Sequence, residues 1–238
     1  MPTPSYHVEC LSNRVIAHDV WEVVFQKPEG FTFKGGQFVL FDVPLHENLS
    51  DIQPRAYSIA SAPNEEHLLF VFKYKEGGRA SIWVKELLQP GMMVRMQGPF
   101  GLFTVPKDVP KDIVMICTGT GIAPFRSQIL EAKKRGDTRR IDLLFGVRRE
   151  EDLFWAEELT RMSQEHEQFF AHLTLSQPSP SWTGHVGRVQ TVIPHVAPDI
   201  ERRQVFICGG PEMVSDIKKT CLEQWHVPKE ALHAEGYI

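Results

Sequence analysis

Short apolar segments set between turn residues dominate the first part of the chain. Val20–Phe25, Phe38–Val43, Tyr57–Ile59 and Leu68–Tyr74 are rich in β-branched and aromatic residues. Lys27-Pro28-Glu29-Gly30, Gly35-Gly36, Ala62-Pro63-Asn64 and Gln89-Pro90-Gly91 punctuate them. Short strands at regular spacing with such turns read as a sandwich or barrel, and the expectation is an antiparallel β-barrel. One helical pattern interrupts them, Ser81–Leu88, with apolar Ile82, Trp83, Val84, Leu87 and Leu88. Beyond Val105 strands and helices alternate. Ile113–Cys117, Ile141–Val147, Phe169–Leu175, Gln204–Cys208 and Ala231–Glu235 read as strands. Pro124–Arg135, Asp152–Met162, a short segment at Val189–His195 and Pro211–Trp225 read as helices. Alternation of this kind predicts a doubly wound α/β domain with a parallel sheet. The Pro- and charge-rich run Pro106–Lys111 is the expected link, giving domains at 1–108 and 109–238.

Composition narrows the function classes. At about 150 residues per domain, a 238-residue chain accommodates one large or two small domains. The formal net charge is −4, from 26 basic and 30 acidic residues. Residues 1–108 hold 10 basic and 12 acidic side chains, and 109–238 hold 16 and 18, so each part is −2. That balance excludes a general nucleic-acid binder and leaves room for a small local docking patch. No apolar run approaches the ~20 residues of a membrane span. The start, Met1-Pro2-Thr3-Pro4-Ser5-Tyr6, lacks the basic and apolar parts of a secretory signal. Cys10, Cys117, Cys208 and Cys221 are scattered, so neither a metal site nor a disulfide framework is encoded. A reduced, cytoplasmic setting is the expectation.

Four motifs carry candidate chemistry. Cys117-Thr118-Gly119-Thr120-Gly121-Ile122-Ala123-Pro124 follows a buried strand and opens a helix. Its glycines permit close backbone approach, and the helix start offers N–H groups to an anion. A plain glycine turn reads equally well from those residues alone, and Pro124 replaces the third glycine of the dinucleotide fingerprint. Phe206-Ile207-Cys208-Gly209-Gly210-Pro211-Glu212-Met213 repeats the arrangement at a second strand end, where α/β sheets bind ligands. Cys208 alone reads as core filler. In Arg55-Ala56-Tyr57-Ser58, alternation sets Arg55 and Tyr57 on one face and Ser58 on the other. Arg55 suits a phosphate and Tyr57 a planar ring, although an exposed strand also carries such residues. Gly77-Gly78-Arg79-Ala80-Ser81 is a second anion candidate, with Ser81 as expected N-cap.

Together these motifs resemble the ferredoxin–NADP reductase superfamily. The order Arg-x-Tyr-Ser, Gly-Gly-x-x-Ser, Gly-Pro-Phe-Gly at 98–101, Gly-Thr-Gly-Ile-Ala-Pro, Cys-Gly-Gly-Pro and a C-terminal acid and aromatic runs from about Tyr6 to the end. The resemblance implies a Greek-key, flavin-binding barrel followed by a nicotinamide-nucleotide domain, with the chemistry in the cleft between them. It implies that Arg55 holds the flavin phosphate, Tyr57 packs on the isoalloxazine and Ser58 bonds near N5. Ala56 lies within that motif. It implies that Gly77, Gly78, Arg79, Ala80 and Ser81 bind pyrophosphate at the helix start. Backbone around Phe72, Lys73, Tyr74 and Lys75 is expected along the ribityl and adenine side. Thr118, Gly119, Thr120, Gly121 and Pro124, with Gly209, Gly210, Pro211 and Met213, are expected around the nicotinamide dinucleotide. Cys208 belongs beside the nicotinamide C4. Glu235 and Tyr237 match the family's C-terminal acid and flavin-shielding aromatic, although Ile238 follows here.

The resemblance further implies FAD rather than FMN, since the glycine helix start suits a second phosphate. NADH and NADPH both remain open. Asp142 lies near the ribose-reading distance but at the start of its strand, while Arg148 follows the strand's end among Glu150, Glu151 and Asp152. Ser176-Gln177 lacks the Ser-Arg pair of strongly NADPH-specific relatives. The leading expectation is a reductase passing electrons from NAD(P)H through bound FAD to a protein acceptor such as ferredoxin, flavodoxin or an oxygenase. The alternatives are an NAD(P)H:flavin reductase using free flavin, and an electron-relay or regulatory subunit.

Overall fold

A computed structural model describes residues 3–237. Ile238, on which the question of a residue beyond Tyr237 turns, lies outside the described residues. The chain forms two compact units. One comprises the residues up to Val105 together with Ala123–Glu131, and the other Pro106–Ile122 together with the residues from Ala132 onward.

The first unit is built on six strands: β1 Ser5–Ala17, β2 Val20–Gln26, β3 Phe38–Leu45, β4 Asn48–Ser58, β5 His67–Lys73 and β6 Met93–Phe100. They pair antiparallel in the order β4-β3-β6-β1-β2-β5. The 13-residue β1 joins the two halves, pairing with β6 through Ser5–Glu9 and with β2 through Cys10–Ala17. Beyond β4 the chain reaches back to β5. The Ala60 N–H donates to the Leu69 carbonyl at 2.8 Å, and the Leu69 N–H donates to Ser61 Oγ at 3.2 Å.

Alternation along the strands fills the interior. Val39, Phe41 and Val43 of β3 point inward with Leu68, Phe70 and Phe72 of β5, all essentially buried. Phe41 meets Phe25 and Phe70 at ring separations of 4.9 Å each. Each such buried side chain contributes roughly 1.5–3 kcal/mol of hydrophobic stabilisation. The strands β1 and β6 escape a reading by apolar runs because His7, Glu9, Ser12, Asn13 and Arg95 interrupt them.

The helical segment differs from expectation. Helix α1 is Arg79–Ile82, continued by a π turn over Trp83–Leu87. Gly78 stands at the cap position, and the first intrahelical bond runs from the Ile82 N–H to the Gly78 carbonyl at 3.0 Å. The wider turn still buries Trp83, Val84 and Leu88.

The second unit has β7 Ile113–Thr118, β8 Ile141–Val147, β9 Phe169–Leu175, β10 His185–Val186, β11 Gln204–Gly209 and β12 Leu232–Gly236. All pair parallel, in the order β10-β9-β8-β7-β11-β12. Helix α2, Ala123–Arg135, has its Ala123–Glu131 part in the first unit, while α3 Ala156–Glu165, α4 Val189–Val196 and α5 Pro211–Glu223 belong to the second. Val192, Ile193 and Val196 of α4 and Val214 and Ile217 of α5 pack on Val114, Ile116, Val205 and Ile207. The expected helix at Asp152–Met162 is two pieces, a 3₁₀ turn over Glu150–Asp152 and then α3. Between them Phe154 is buried against Phe145 at 5.5 Å, and Trp155 turns left-handed at φ 57°. No helix among the described residues is long and apolar enough to cross a membrane.

Candidate functional site

In the first unit the end of β4 carries Arg55, Tyr57 and Ser58. Tyr57 turns its ring to the core, 4.0 Å from Phe72 and 6.3 Å from Phe41. Burial pushes its phenol well above the usual range, against a smaller opposing pull from the Arg55 charge, so the hydroxyl stays protonated. Arg55 donates to the Pro54 carbonyl at 2.9 Å and to Gln53 Oε1 at 2.8 Å. Both acceptors are neutral, which leaves the guanidinium charge available to an anion. Ser58 is 6% exposed, on the opposite side of the strand from Tyr57 as alternation requires. Ala56 is exposed.

Strand β5 delivers the chain from Phe72 into the glycine turn. Phe72 itself is core. Lys73 Nζ donates to the His18 carbonyl at 2.8 Å. The Tyr74 ring lies 6.0 Å from Trp21, with Lys85 Nζ 4.7 Å from its centroid. Gly77 adopts φ +67° with open space where a Cβ would stand. At Gly78 a Cβ would come within 3.0 Å of the Lys75 carbonyl and of Ser81 Oγ. Ser81 is therefore not the N-cap. It sits inside α1 and its hydroxyl accepts the Lys75 N–H at 2.8 Å, which closes the turn from behind. The N–H groups of Arg79, Ala80 and Ser81 precede the first intrahelical bond and are available to an anion. The Arg79 side chain is committed elsewhere. Its Nη1 donates to the Asp51 carbonyl at 2.6 Å and its Nη2 meets Asp51 Oδ2 at 3.1 Å. This pair ties the β4 hairpin to the start of α1, and nothing in the local sequence announces it.

In the second unit the strand order reverses between β7 and β11, the place where open α/β sheets bind ligands. Both expected glycine openings stand there. Gly119 adopts φ +53° with open space beside it, in the 3₁₀ turn Gly119–Ile122 that leads to Pro124. Thr118 and Thr120 flank it. Gly121 has a different reason, because a Cβ would fall 2.3 Å from the Cys208 carbonyl oxygen. The missing Cβ lets the turn pass against β11. At Gly209, φ +153°, a Cβ would meet Thr118 Oγ1 and Met213 Cε at 2.5 Å each. Gly210, at the N-cap of α5 before Pro211, faces open space. Gly119 and Gly210 in this unit, like Gly77 in the first, have open space where a Cβ would stand.

Cys208 is fully buried, in register with Cys117 on β7 and Glu235 on β12. Burial pushes its thiol far up, Tyr237 lowers it by hydrogen bonding, and the Glu235 charge raises it again. It is a neutral thiol. The Tyr237 N–H donates to the Gly209 carbonyl at 2.8 Å, which fixes the C-terminal aromatic beside the second glycine opening.

Asp142 lies at the other end of the sheet and is fully buried. Its carboxylate meets Arg203 Nη1 at 2.6 Å, Arg140 Nε at 2.7 Å and His172 Nε2 at 2.8 Å. Burial opposes its ionisation, but these bonds from His172, Arg140 and Arg203 outweigh it and hold the carboxyl well below the usual range. It has no capacity left for a ribose. At the carboxyl end of β8, Arg148 is exposed. There Glu150 accepts from Ser179 N at 2.8 Å and Ser179 Oγ at 2.7 Å. The run of three acids marked this loop in the sequence, whereas the partner 29 residues away did not.

Comparison with known proteins agrees with this geometry. An oxidoreductase FAD-binding domain matches residues 7–105 and an oxidoreductase NAD-binding domain matches residues 115–219. The chain is 32% identical to ferredoxin–NADP reductase B of Sorangium cellulosum, over 98% of this chain and 97% of that protein. It is 29% identical to the reductase component of propane 2-monooxygenase of Rhodococcus jostii, over 89% of this chain but 57% of that longer protein. A solved ferredoxin–NADP reductase of Neisseria gonorrhoeae, with bound FAD and NADP, shares the fold at a TM-score of 0.83 and 24% identity, over 98% of each chain. With these two domains in series, the chain belongs to the ferredoxin–NADP reductase superfamily, as an FAD-dependent NAD(P)H oxidoreductase.

Proposed function

We propose that the chain takes hydride from a reduced nicotinamide nucleotide and passes electrons through tightly held FAD to a protein acceptor such as a ferredoxin, a flavodoxin or an oxygenase. The carrying observation is that one unit presents Arg55, the Tyr57 ring and the Gly77–Gly78 turn, with the Tyr57 ring 4.0 Å from the ring of Phe72 on the strand that leads into that turn. That set suits a retained dinucleotide better than a passing flavin. The names of the Sorangium and Rhodococcus relatives support an acceptor of the ferredoxin or oxygenase kind.

Bound FAD supplies two-electron acceptance and one-electron release. The protein's part is to bind, orient and exclude water. Arg55 and the N–H groups of Arg79, Ala80 and Ser81 take the flavin phosphates. Tyr57 gives the flavin an apolar wall, and the Ser58 hydroxyl steadies charge near N5. Gly119, Thr120, Gly121 and Pro124, with Gly210, Pro211 and Met213, hold the coenzyme's diphosphate and nicotinamide end. The neutral Cys208 packs beside the nicotinamide C4, positioned with Glu235 and Tyr237.

Purification tests this directly. A yellow protein that releases FAD and sustains NAD(P)H oxidation with ferricyanide is the expected result. A colourless protein that reduces added flavin would instead make it a flavin reductase. A chain that holds flavin but oxidises neither coenzyme would be a relay subunit.

A further inference from the structure

Helix α2 opens directly from the Gly119–Ile122 turn, and its first part, Ala123–Glu131, belongs to the first unit. Three separate loops of that unit grip it there. Arg126 is buried, and its Nη1 donates to the Ala60 carbonyl at 2.8 Å. The same guanidinium meets Glu65 Oε2 at 3.2 Å and Oε1 at 3.4 Å. Glu65 is itself held, since its Oε2 accepts the Ala62 N–H at 2.6 Å. Gln128 Nε2 donates to the Phe103 carbonyl at 2.5 Å, and Glu131 Oε2 accepts the Gly35 N–H at 2.8 Å.

The fit is close on the Gly35–Gly36 side. A Cβ at Gly35 would fall 2.8 Å from Gln128 Cα, and one at Gly36 would fall 1.8 Å from the Phe103 carbonyl oxygen. Arg126 and Gln128 lie two residues apart, roughly 200° around a helix of 3.6 residues per turn. Their grips are on opposite sides of α2, so together they fix its rotation and its position along its axis. Burial of Phe125 and Ile129 also holds the helix, but hydrophobic contact is non-directional. The guanidinium is a planar fork with donors at fixed angles. Stability does not explain it. A cation in the first turn opposes the helix dipole, and desolvation offsets the attraction of a buried ion pair. What Arg126 supplies is geometry.

We infer that Arg126 is a positioning residue for the coenzyme: through α2 it sets where the Gly119–Ile122 turn stands during hydride transfer. The inference rests on the reductase reading above and deepens it. Arg126 follows Ile122 by one helical turn, about 6 Å along the axis. A roll or slide of α2 at Arg126 is therefore carried into the turn. Reacting atoms must approach to ~3–3.5 Å, and a misplacement of ~1 Å can cost about a hundredfold in rate. Arg126 need touch neither coenzyme nor flavin to have this effect.

The test is anaerobic stopped-flow reduction of the purified flavoprotein, using whichever of NADH and NADPH reduces the wild type faster. R126A should keep its FAD while its limiting reduction rate falls by about ten- to a hundredfold. R126K keeps a donor without the fork and should recover part of that loss, and E65Q should lose several-fold. Dithionite, which bypasses the coenzyme, should reduce all four proteins at the same rate. A wild-type limiting rate in flavin-loaded R126A overturns the inference, even where its melting temperature has dropped, because Arg126 is then only structural. Equal slowing with dithionite also overturns it, since the flavin site is then what has changed. If R126A fails to fold, wild-type rates in both R126K and E65Q overturn it, and a coenzyme-specific loss in both supports it. Each of these outcomes leaves the reductase reading standing. A wild type that neither coenzyme reduces overturns both.

Discussion

Under the proposed function, Ser58 and Cys208 stand at the reacting end of the two cofactors. Removing a hydroxyl that steadies developing charge commonly costs ten- to a hundredfold or more. S58A should slow flavin reduction in stopped-flow by roughly that factor. C208A should slow it by about tenfold through looser nicotinamide placement. Burial keeps the Cys208 thiol neutral, so the wild-type rate should show no limb from this thiol through alkaline pH. Unchanged reduction rates in both variants would remove these roles. Asp142 serves the fold instead. Its carboxyl is depressed in the folded state, so its stabilisation is present above the unfolded carboxylate pKa near ~4. That contribution is lost as pH falls below it toward the folded value. D142N leaves buried Arg203 under-compensated and should cost about 3 kcal/mol at neutral pH. Urea unfolding from pH 7 down to pH 3 should show a flatter acid limb in D142N than in wild type. Sequence spacing placed Arg55, Tyr57, Ser58 and Cys208 because strand alternation and strand ends are local properties. It could not place His172 and Arg203 against Asp142, 30 and 61 residues away, or Ser179 against Glu150, 29 residues away.

The turns after β5, β7 and β11 do two different jobs with the same residue type. Gly121 is required by the backbone of β11 and Gly210 by nothing within the protein. G121A forces a Cβ into the Cys208 carbonyl and should destabilise by about 1–3 kcal/mol or fail to fold. G210A has room and an ordinary φ of −60°, so it should melt like wild type while raising KM for the coenzyme. Thermal melts beside steady-state KM separate the two. The glycine openings were legible because a buried strand, glycines and a helix-starting proline sit together in the sequence. Their division of labour was not, since it depends on what lies across the sheet. The same holds for α1. Ser81 looks like a cap in sequence, but the helix starts two residues earlier, at Arg79, and its hydroxyl closes the preceding turn. Arg79 joins that turn to Asp51 on β4. R79Q should weaken FAD by about tenfold, from the loss of a buried charged hydrogen bond. FMN, lacking the second phosphate, should weaken less. Fluorescence titration of the apoprotein with both flavins reads this, and equal losses would make Arg79 merely structural.

Two domains in series follow from where strand-and-turn texture gives way to strand-and-helix alternation, and this was plain in the sequence. Strands β1 and β6 were not, because polar residues break their apolar runs while ladder pairing on both sides holds them. The net charge of −4, shared equally between the two parts of the sequence, gives no global field to steer an acceptor. Acceptor reduction should therefore respond weakly to ionic strength unless a local patch is engaged. The whole account stands on one chain holding FAD and drawing hydride from a nicotinamide nucleotide. Anaerobic titration of the purified protein with NADH, following the visible flavin band, measures this most directly. The band should bleach fully at one NADH per flavin, and ferricyanide should restore it at two equivalents. A protein that carries no flavin, or a flavin band that persists under excess NADH and excess NADPH, would contradict it.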